Sequence, residues 1–424
     1  MIRLENISDF GPSQDCAIVI TEPSGKIKST DDDALAGGMS DSVNISLKSC
    51  LACSGCVTSA EVVLLSSQSL QTMFSLSRPI AFSISPEARA SLAGYWDTSA
   101  MDAMRYISGI LKTLFPSCMV FDMATAVDIC LLATEQELNH RIHKEAHRLP
   151  LIVSACSGFV CYAEKLHPHI LQFLSNVPSP QFVQGKLISD RFPGFAHVVI
   201  SPCHDRKLEA LRDELNYRDT DDLSKNGVDV VITADELLSL TTKNEIEGVT
   251  AFNGPVTPSP MDFDLLFDDE FESELPSRHL PAGGYCDHMY LSKMISSPSW
   301  SVPKRRGGTR YCTASKDVLL AEVFGFREVQ NLLRSIKKGK SLVTMAEVFA
   351  CPTSACLNGG GLVGSSGGFG DVDSLPKTLN ALTTLQHHEA GNNPIAERLV
   401  RDCDWGLASF SVKDKPVNPA RIDW

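Results

Sequence analysis

Basic residues are in short supply: 38 lysines and arginines face 51 aspartates and glutamates, a formal charge of −13. A chain with that balance has no extended basic face, which argues against a nucleic-acid binder. Its one basic run, "KRRGGTR" at 304–310, reads as a solvated loop. Long apolar runs are missing too. A bilayer-spanning helix takes roughly 20 apolar residues, and "MVFDMATAVDICLLA" is interrupted by Asp122 and Asp128, so no membrane association is expected. The opening "MIRLENISDFGPSQD" shows neither a charged n-region nor an apolar h-region, so the expectation is a soluble, intracellular protein without a secretory signal. No repeat of fixed period is present, and no Ser–His–Asp or paired-carboxylate arrangement can be argued. The glycine-rich "GGGLVGSSGGFG" lacks the lysine of a phosphate loop and reads as a flexible turn.

Cysteine is what the chain has in quantity, 14 of them in 424 residues. In a reducing compartment these are not a disulfide framework, and metal or redox chemistry becomes the leading reading. Apolar content of 43% and charged content of 21% are ordinary globular values. At roughly 100–200 residues per domain, the length corresponds to two or three domains.

Strand and helix signals alternate from residue 78 onward, which implies an α/β fold with parallel sheets. "PIAFSI" runs into Ser85-Pro86-Glu87, an N-cap followed by proline at the first helical position. "LPLIVSAC" (149–156), "HVVISPC" (197–203) and "LVTMAEVFAC" (342–351) each read as a buried strand ending at a cysteine. "VDVVIT" precedes Thr233-Ala234-Asp235-Glu236, a capping box that opens a further helix, and Thr58 with Glu61 forms another box. "KDVLLAEVFGFREVQNLLRSIKKGK" reads as a strand and then an amphipathic helix. The division expected is an N-terminal cysteine-bearing region (1–75), a first α/β lobe (76–251), an acidic Pro-rich linker (252–284) and a second α/β lobe (285–424). The linker has five prolines, and seven carboxylates fall between Asp262 and Glu274. It reads as a mobile connection, with an acidic docking segment as the sharper alternative.

Two groups of cysteines stand out. Cys50, Cys53 and Cys56 form C-x-x-C-x-x-C, a ferredoxin-type run whose fourth cysteine position is taken by Ala60. Cys156, Cys203 and Cys351 sit at strand ends, where open parallel sheets collect ligands, and Cys356 lies five residues past Cys351. Four cysteines converging there could hold an iron–sulfur cube or a zinc ion. Zinc prefers paired knuckles, so the dispersed spacing suits a buried cluster between two lobes better. Buried structural cysteines are the alternative at this point. His387 and His388 read as an exposed loop pair, and Cys118, Cys130, Cys286, Cys312 and Cys403 as packing or surface thiols.

"SACSGFVCYAEKLHP", "SPCHDRKLEA" and "AEVFACPTSACLNGGG", in that order behind the three-cysteine run, resemble the motifs of the iron-only hydrogenase fold. With "LENISDFGPSQDC", "SISPEARASLAGYWD", "GGYCDHMYL" and "FGFREVQNLL" they are most similar to its non-hydrogenase branch, the Nar-type proteins of cytosolic iron–sulfur protein assembly (the CIA pathway). The fold so implied is a two-lobed core with parallel sheets and a small N-terminal ferredoxin-like region.

The resemblance implies two [4Fe–4S] clusters. The first would use Cys16, Cys50, Cys53 and Cys56; the second Cys156, Cys203, Cys351 and Cys356. One departure concerns Cys356: "CPTSAC" has one residue more than the family's usual spacing, worth up to ~3.5 Å of chain. Several hydrogenase positions are also changed. Ala155 stands where hydrogenases have a proton-transferring cysteine, and Ser157 and Phe159 replace a proline and a tryptophan. Ser201 replaces a methionine, Leu362 a glutamine, and Arg206 a lysine that binds the di-iron unit's cyanide. The expected protein is therefore an assembly factor and not an enzyme. It would link a P-loop NTPase scaffold to the WD-repeat propeller of the targeting complex for iron–sulfur apoproteins. Location would be cytoplasmic, with the nucleus left open. The terminal Ile422-Asp423-Trp424 resembles the tripeptide by which clients and adaptors dock on that complex. A hydrogenase-type redox enzyme and a zinc-stabilised interaction scaffold are the alternatives. Cys161, present in the family without ligand status, reads as core.

Overall fold

A computed structural model describes residues 67–212, 227–242, 256–267, 285–286, 300–301, 308–315, 318–351, 356, 360–363 and 393–402. The chain begins there with α1 (Leu70–Phe74), β1 (Ile80–Ile84), α2 (Pro86–Trp96), α3 (Ala100–Leu114) and β2 (Met119–Asp122). Next come α4 (Ala124–Lys144), β3 (Leu151–Val153), α5 (Ser157–Leu166), α6 (Pro180–Arg191), β4 (Ala196–Ser201) and α7 (Asp205–Ala210). The remainder is β5 (Val230–Thr233), α8 (Ala234–Thr242), β6 (Trp300–Ser301), β7 (Gly308–Ser315), β8 (Val318–Phe324), α9 (Phe326–Lys337), β9 (Met345–Phe349) and α10 (Pro394–Asp402).

Local sequence explains most of these starts. The Ser85 hydroxyl accepts from the Ala88 N–H at 3.3 Å, with Pro86 at the first helical position of α2. At α8 the capping box closes in both directions, Thr233 N–H to the Glu236 carboxylate at 2.7 Å and Glu236 N–H to the Thr233 hydroxyl at 3.3 Å.

Two sheets result. The first is wholly parallel, in the order β2-β1-β4-β5; in the second, β3-β9-β8 are parallel and β7 and β6 add antiparallel strands. Side chains alternate between cores as the strand period of two demands. Phe82, Ile80 and Ile84 pack with α3 and α8 on one face of the first sheet, while Ala81 and Phe121 face the other way. That second core holds α4, α6 and α10 between the sheets, where Leu151, Val153, Leu320 and Met345 meet them. On the far face of the second sheet Ile152, Val323, Ala346 and Val348 pack against α5 and α9.

Two features bear on the expected division. The sequence division at 251 is not a cut between sheets, because β3, at 151–153, pairs with β9 in the second sheet. A three-residue strand carries no local mark of which sheet it joins; burial on both faces decides. Residues 256–267, expected as part of a mobile linker, are docked instead. The Asp264 N–H donates to the Val120 carbonyl at 2.7 Å and its carboxylate accepts from the Val120 N–H at 2.8 Å, covering edge strand β2. Lys112 pairs with Asp264 at 3.0 Å, and Leu266 and Phe267 are buried. The segment's own apolar residues make that docking favourable. Residues 268–284 of the expected linker lie outside the described residues, as do the capping box at Thr58 and Glu61 and the pair His387-His388.

Candidate metal centre

Four of the proposed cysteines can be placed. Cys156 caps α5 just past β3, Cys203 follows β4, Cys351 follows β9, and Cys356 lies on the strand-end side with φ 48°. Backbone ties bring these ends together. Ser154 Oγ donates to the Val348 carbonyl at 2.6 Å and accepts from the Cys156 N–H at 3.0 Å, joining the end of β3 to that of β9. Gly325, at φ 85°, donates its N–H to the Cys351 carbonyl at 2.7 Å. That backbone conformation is costly for any residue with a Cβ.

The segment carrying Cys356 crosses to the first sheet. The Gly361 N–H donates to the Pro202 carbonyl at 3.1 Å, and its own carbonyl accepts from the Asp235 N–H at 3.0 Å. A Cβ on Gly361 would come within 2.5 Å of the Thr233 methyl, so only glycine permits this approach. Cys356 itself has a left-handed backbone and is 5% exposed.

The four thiols share one electrostatic environment. Burial is the largest influence on each and pushes every one of them above the ordinary thiol range. Next, Asp205 raises Cys156; Asp205 and Cys156 raise Cys203; Cys156 and Cys203 raise Cys351. Cys356 is raised by Cys203, Cys351, Glu87 and Cys156. Opposing this, the amide groups of Ala350 and Phe159 act on Cys156, and the Arg206 side chain acts on both Cys156 and Cys203. Such thiols stay protonated until a metal displaces the protons. Among the described residues, no three of His, Cys, Asp and Glu are gathered tightly enough for a single ion. A cubane, with an iron at each ligated corner, holds its thiolates farther apart, and four cysteines, Cys156 and Cys356 buried and Cys203 and Cys351 half-buried, fit that donor set.

Cys16, Cys50, Cys53, Cys56 and the terminal Ile422, Asp423 and Trp424 lie outside the described residues, as does Cys403. Cys161, expected as core, is half-buried on α5, and burial pushes its thiol up to about 12. Cys118, Cys130 and Cys286 are buried packing thiols, as expected. His204 precedes α7, burial lowers its pKa, and its ring faces the Gly360 carbonyl. Nearby, Arg206 and Glu209 form a buried pair at 2.7 Å, whose only local signal in the sequence is an i,i+3 spacing of opposite charges.

Parallel strands that end at Cys156, Cys203 and Cys351, with Cys356 five residues on, define an iron-only hydrogenase-like α/β protein. Residues 78–360 match the family described as iron only hydrogenase large subunit, C-terminal domain. The chain belongs to that superfamily and, within it, to the Nar-type hydrogenase-like proteins of cytosolic iron–sulfur assembly. "Protein NAR1" of Arabidopsis thaliana is 33% identical, with 95% of this chain and 92% of the relative covered. "Cytosolic iron-sulfur assembly component 3" of Rattus norvegicus is 34% identical over 85% of this chain and 83% of the relative. In fold, the chain resembles a variant of the [FeFe]-hydrogenase HydA1 of Chlamydomonas reinhardtii, with TM-score 0.59 at 18% identity, covering 84% of this chain and 97% of that one.

Proposed function

We propose that this chain is a cytosolic iron–sulfur assembly factor that carries two [4Fe–4S] clusters and turns over no small molecule. Cys156, Cys203, Cys351 and Cys356 hold the buried cluster; Cys16, Cys50, Cys53 and Cys56 hold the other. The observation that carries the reading is that strand ends from both sheets bring Cys156, Cys203 and Cys351 forward, with backbone ties at Ser154, Gly325 and Gly361 joining these ends. The names of the relatives, cytosolic assembly components among them, support the cellular role and a cytoplasmic location. No helix among the described residues is long and apolar enough to cross a membrane.

A bound cluster would supply a one-electron store and a source of iron and sulfide. The protein's own part is to present four thiols, shield them from water and hold them through the Ser154, Gly325 and Gly361 backbone ties. Hydrogenase chemistry finds no support in the surrounding residues. Ala155 brings no proton-transferring thiol, and Arg206 is committed to Glu209 instead of being free to hold a cyanide. In this reading the chain takes its place between the P-loop NTPase scaffold and the targeting complex for apoproteins. Ile422-Asp423-Trp424 docks on the propeller, and the ferredoxin-like cluster is the labile one.

Anaerobic purification tests the core of this. About eight irons and eight sulfides per chain are expected for two cubanes; a colourless, zinc-loaded protein overturns it. Hydrogen evolution and infrared CO and CN bands should both be absent. Serial chelation followed by Mössbauer spectroscopy should remove the ferredoxin-like cluster first. Deleting Trp424 should weaken pull-down of the targeting complex, and unchanged binding removes the docking role.

A further inference from the structure

Arg206 is a buried cation in a place where folding alone gives it little to do. It lies three residues past Cys203, in the first turn of α7, and is 8% exposed. Burying such a charge costs several kcal/mol unless an anion accompanies it. One does: the Arg206 guanidinium donates to the Glu209 carboxylate at 2.7 Å, and Glu209 is buried as well. Ser157 Oγ, at the start of α5, lies 3.5 Å from the same carboxylate, and the Gln181 amide donates to the Arg206 carbonyl at 3.1 Å. A pair of this kind can often be replaced by apolar side chains without loss of stability. Its position beside the cysteines is what apolar residues could not reproduce. Burial opposes the Arg206 charge, yet Glu209, Cys356 and Cys203 together hold its pKa above the ordinary value.

We infer that Arg206 is the fixed counter-charge of the centre, oriented by Glu209, and that it makes the cluster on Cys156, Cys203, Cys351 and Cys356 easier to reduce and slower to lose iron. The inference rests on the reading that those four cysteines hold a cluster. A cubane on four thiolates is an anion and gains one more negative charge on reduction; in a poorly screened interior a nearby guanidinium favours the reduced state. Arg206 acts through its field and ligates nothing, so it is a positioning residue.

The test uses the full chain with Cys50→Ser and Cys53→Ser, so that only the buried cluster is read. The protein is reconstituted anaerobically, then titrated with dithionite as the electron donor and followed by EPR. Arg206→Gln should shift the midpoint to more negative potential and speed iron loss to a chelator several-fold. Arg206→Lys should stay close to the parent. Glu209→Gln removes a negative charge and should move the midpoint the opposite way, to more positive potential. A merely structural role would weaken the site in both variants without opposite shifts. The inference is overturned if Arg206→Gln and Glu209→Gln move the midpoint in the same direction or not at all, or if Arg206→Lys behaves as Arg206→Gln does. Should Arg206→Gln fail to fold, the Lys and Glu209 variants decide alone. A parent that takes up no iron overturns the four-cysteine reading itself, before Arg206 is changed.

Discussion

Helices of two kinds start in this molecule. One kind opens on an oxygen cap: Ser85 for α2, Ser99 for α3, Ser179 for α6, and the reciprocal Thr233–Glu236 box for α8. The other kind has no side-chain cap bond: α5 and α7, beside the cysteines, with Cys156 and His204 in the capping position, and also α4 and α9, behind Met123 and Gly325. An uncapped start leaves first-turn N–H groups unsatisfied, which costs stability where a helix is merely structural. Both helices that open just past Cys156 and Cys203 are of the uncapped kind.

That contrast can be broken at several points. The largest effect belongs to Cys156→Ser or Cys351→Ser, which should remove about half of the iron of a two-cluster protein. Full iron content in either variant would show that the open helix starts serve something else. Next comes Glu164→Ala. Glu164, on α5, is paired with Arg212, just past α7, and both are buried. Removing one partner of a buried pair costs about 3–5 kcal/mol, and denaturant unfolding should register it, because this pair ties α5 to the residues just past α7. Ser85→Ala should be milder, about 1 kcal/mol, and should leave iron content untouched; a loss of iron there would erase the distinction between the two kinds of helix start.

The smallest effect concerns His167 and His169, away from the centre. Burial lowers both pKa values, with His169 and Lys337 contributing at His167 and Lys337 at His169. As pH falls through the ordinary value of 6.5, the unfolded chain takes up protons before the folded one. Their contribution to stability is present above that value and is lost below it. Lys337→Gln should therefore reduce the acid loss in a pH series of thermal unfolding, with Tyr162, which shares a 2.8 Å hydrogen bond with His167, left in place.

The sequence carried a good deal of this architecture openly. β1 with its Ser85 cap, the box at Thr233, β8 followed by α9, and three strands running toward cysteines all stand where their patterns indicated. The Arg206–Glu209 pair was not legible, because an i,i+3 pair on a short helix looks the same whether it is solvated or buried. Nor was the docking of residues 256–267, where a run of carboxylates masked Phe263, Leu266 and Phe267.

What the sequence determined alone is local: which residues start helices, which alternate as strands, and which thiols fall at strand ends. Those signals act over four residues or fewer, so the chain displays them before it folds. Only tertiary structure decided that β3 joins the second sheet, that Cys356 turns inward through a left-handed backbone, and that a charged pair lies beside the thiols. Each of those depends on burial shared by segments far apart in the chain, and burial is a property that no short stretch possesses by itself.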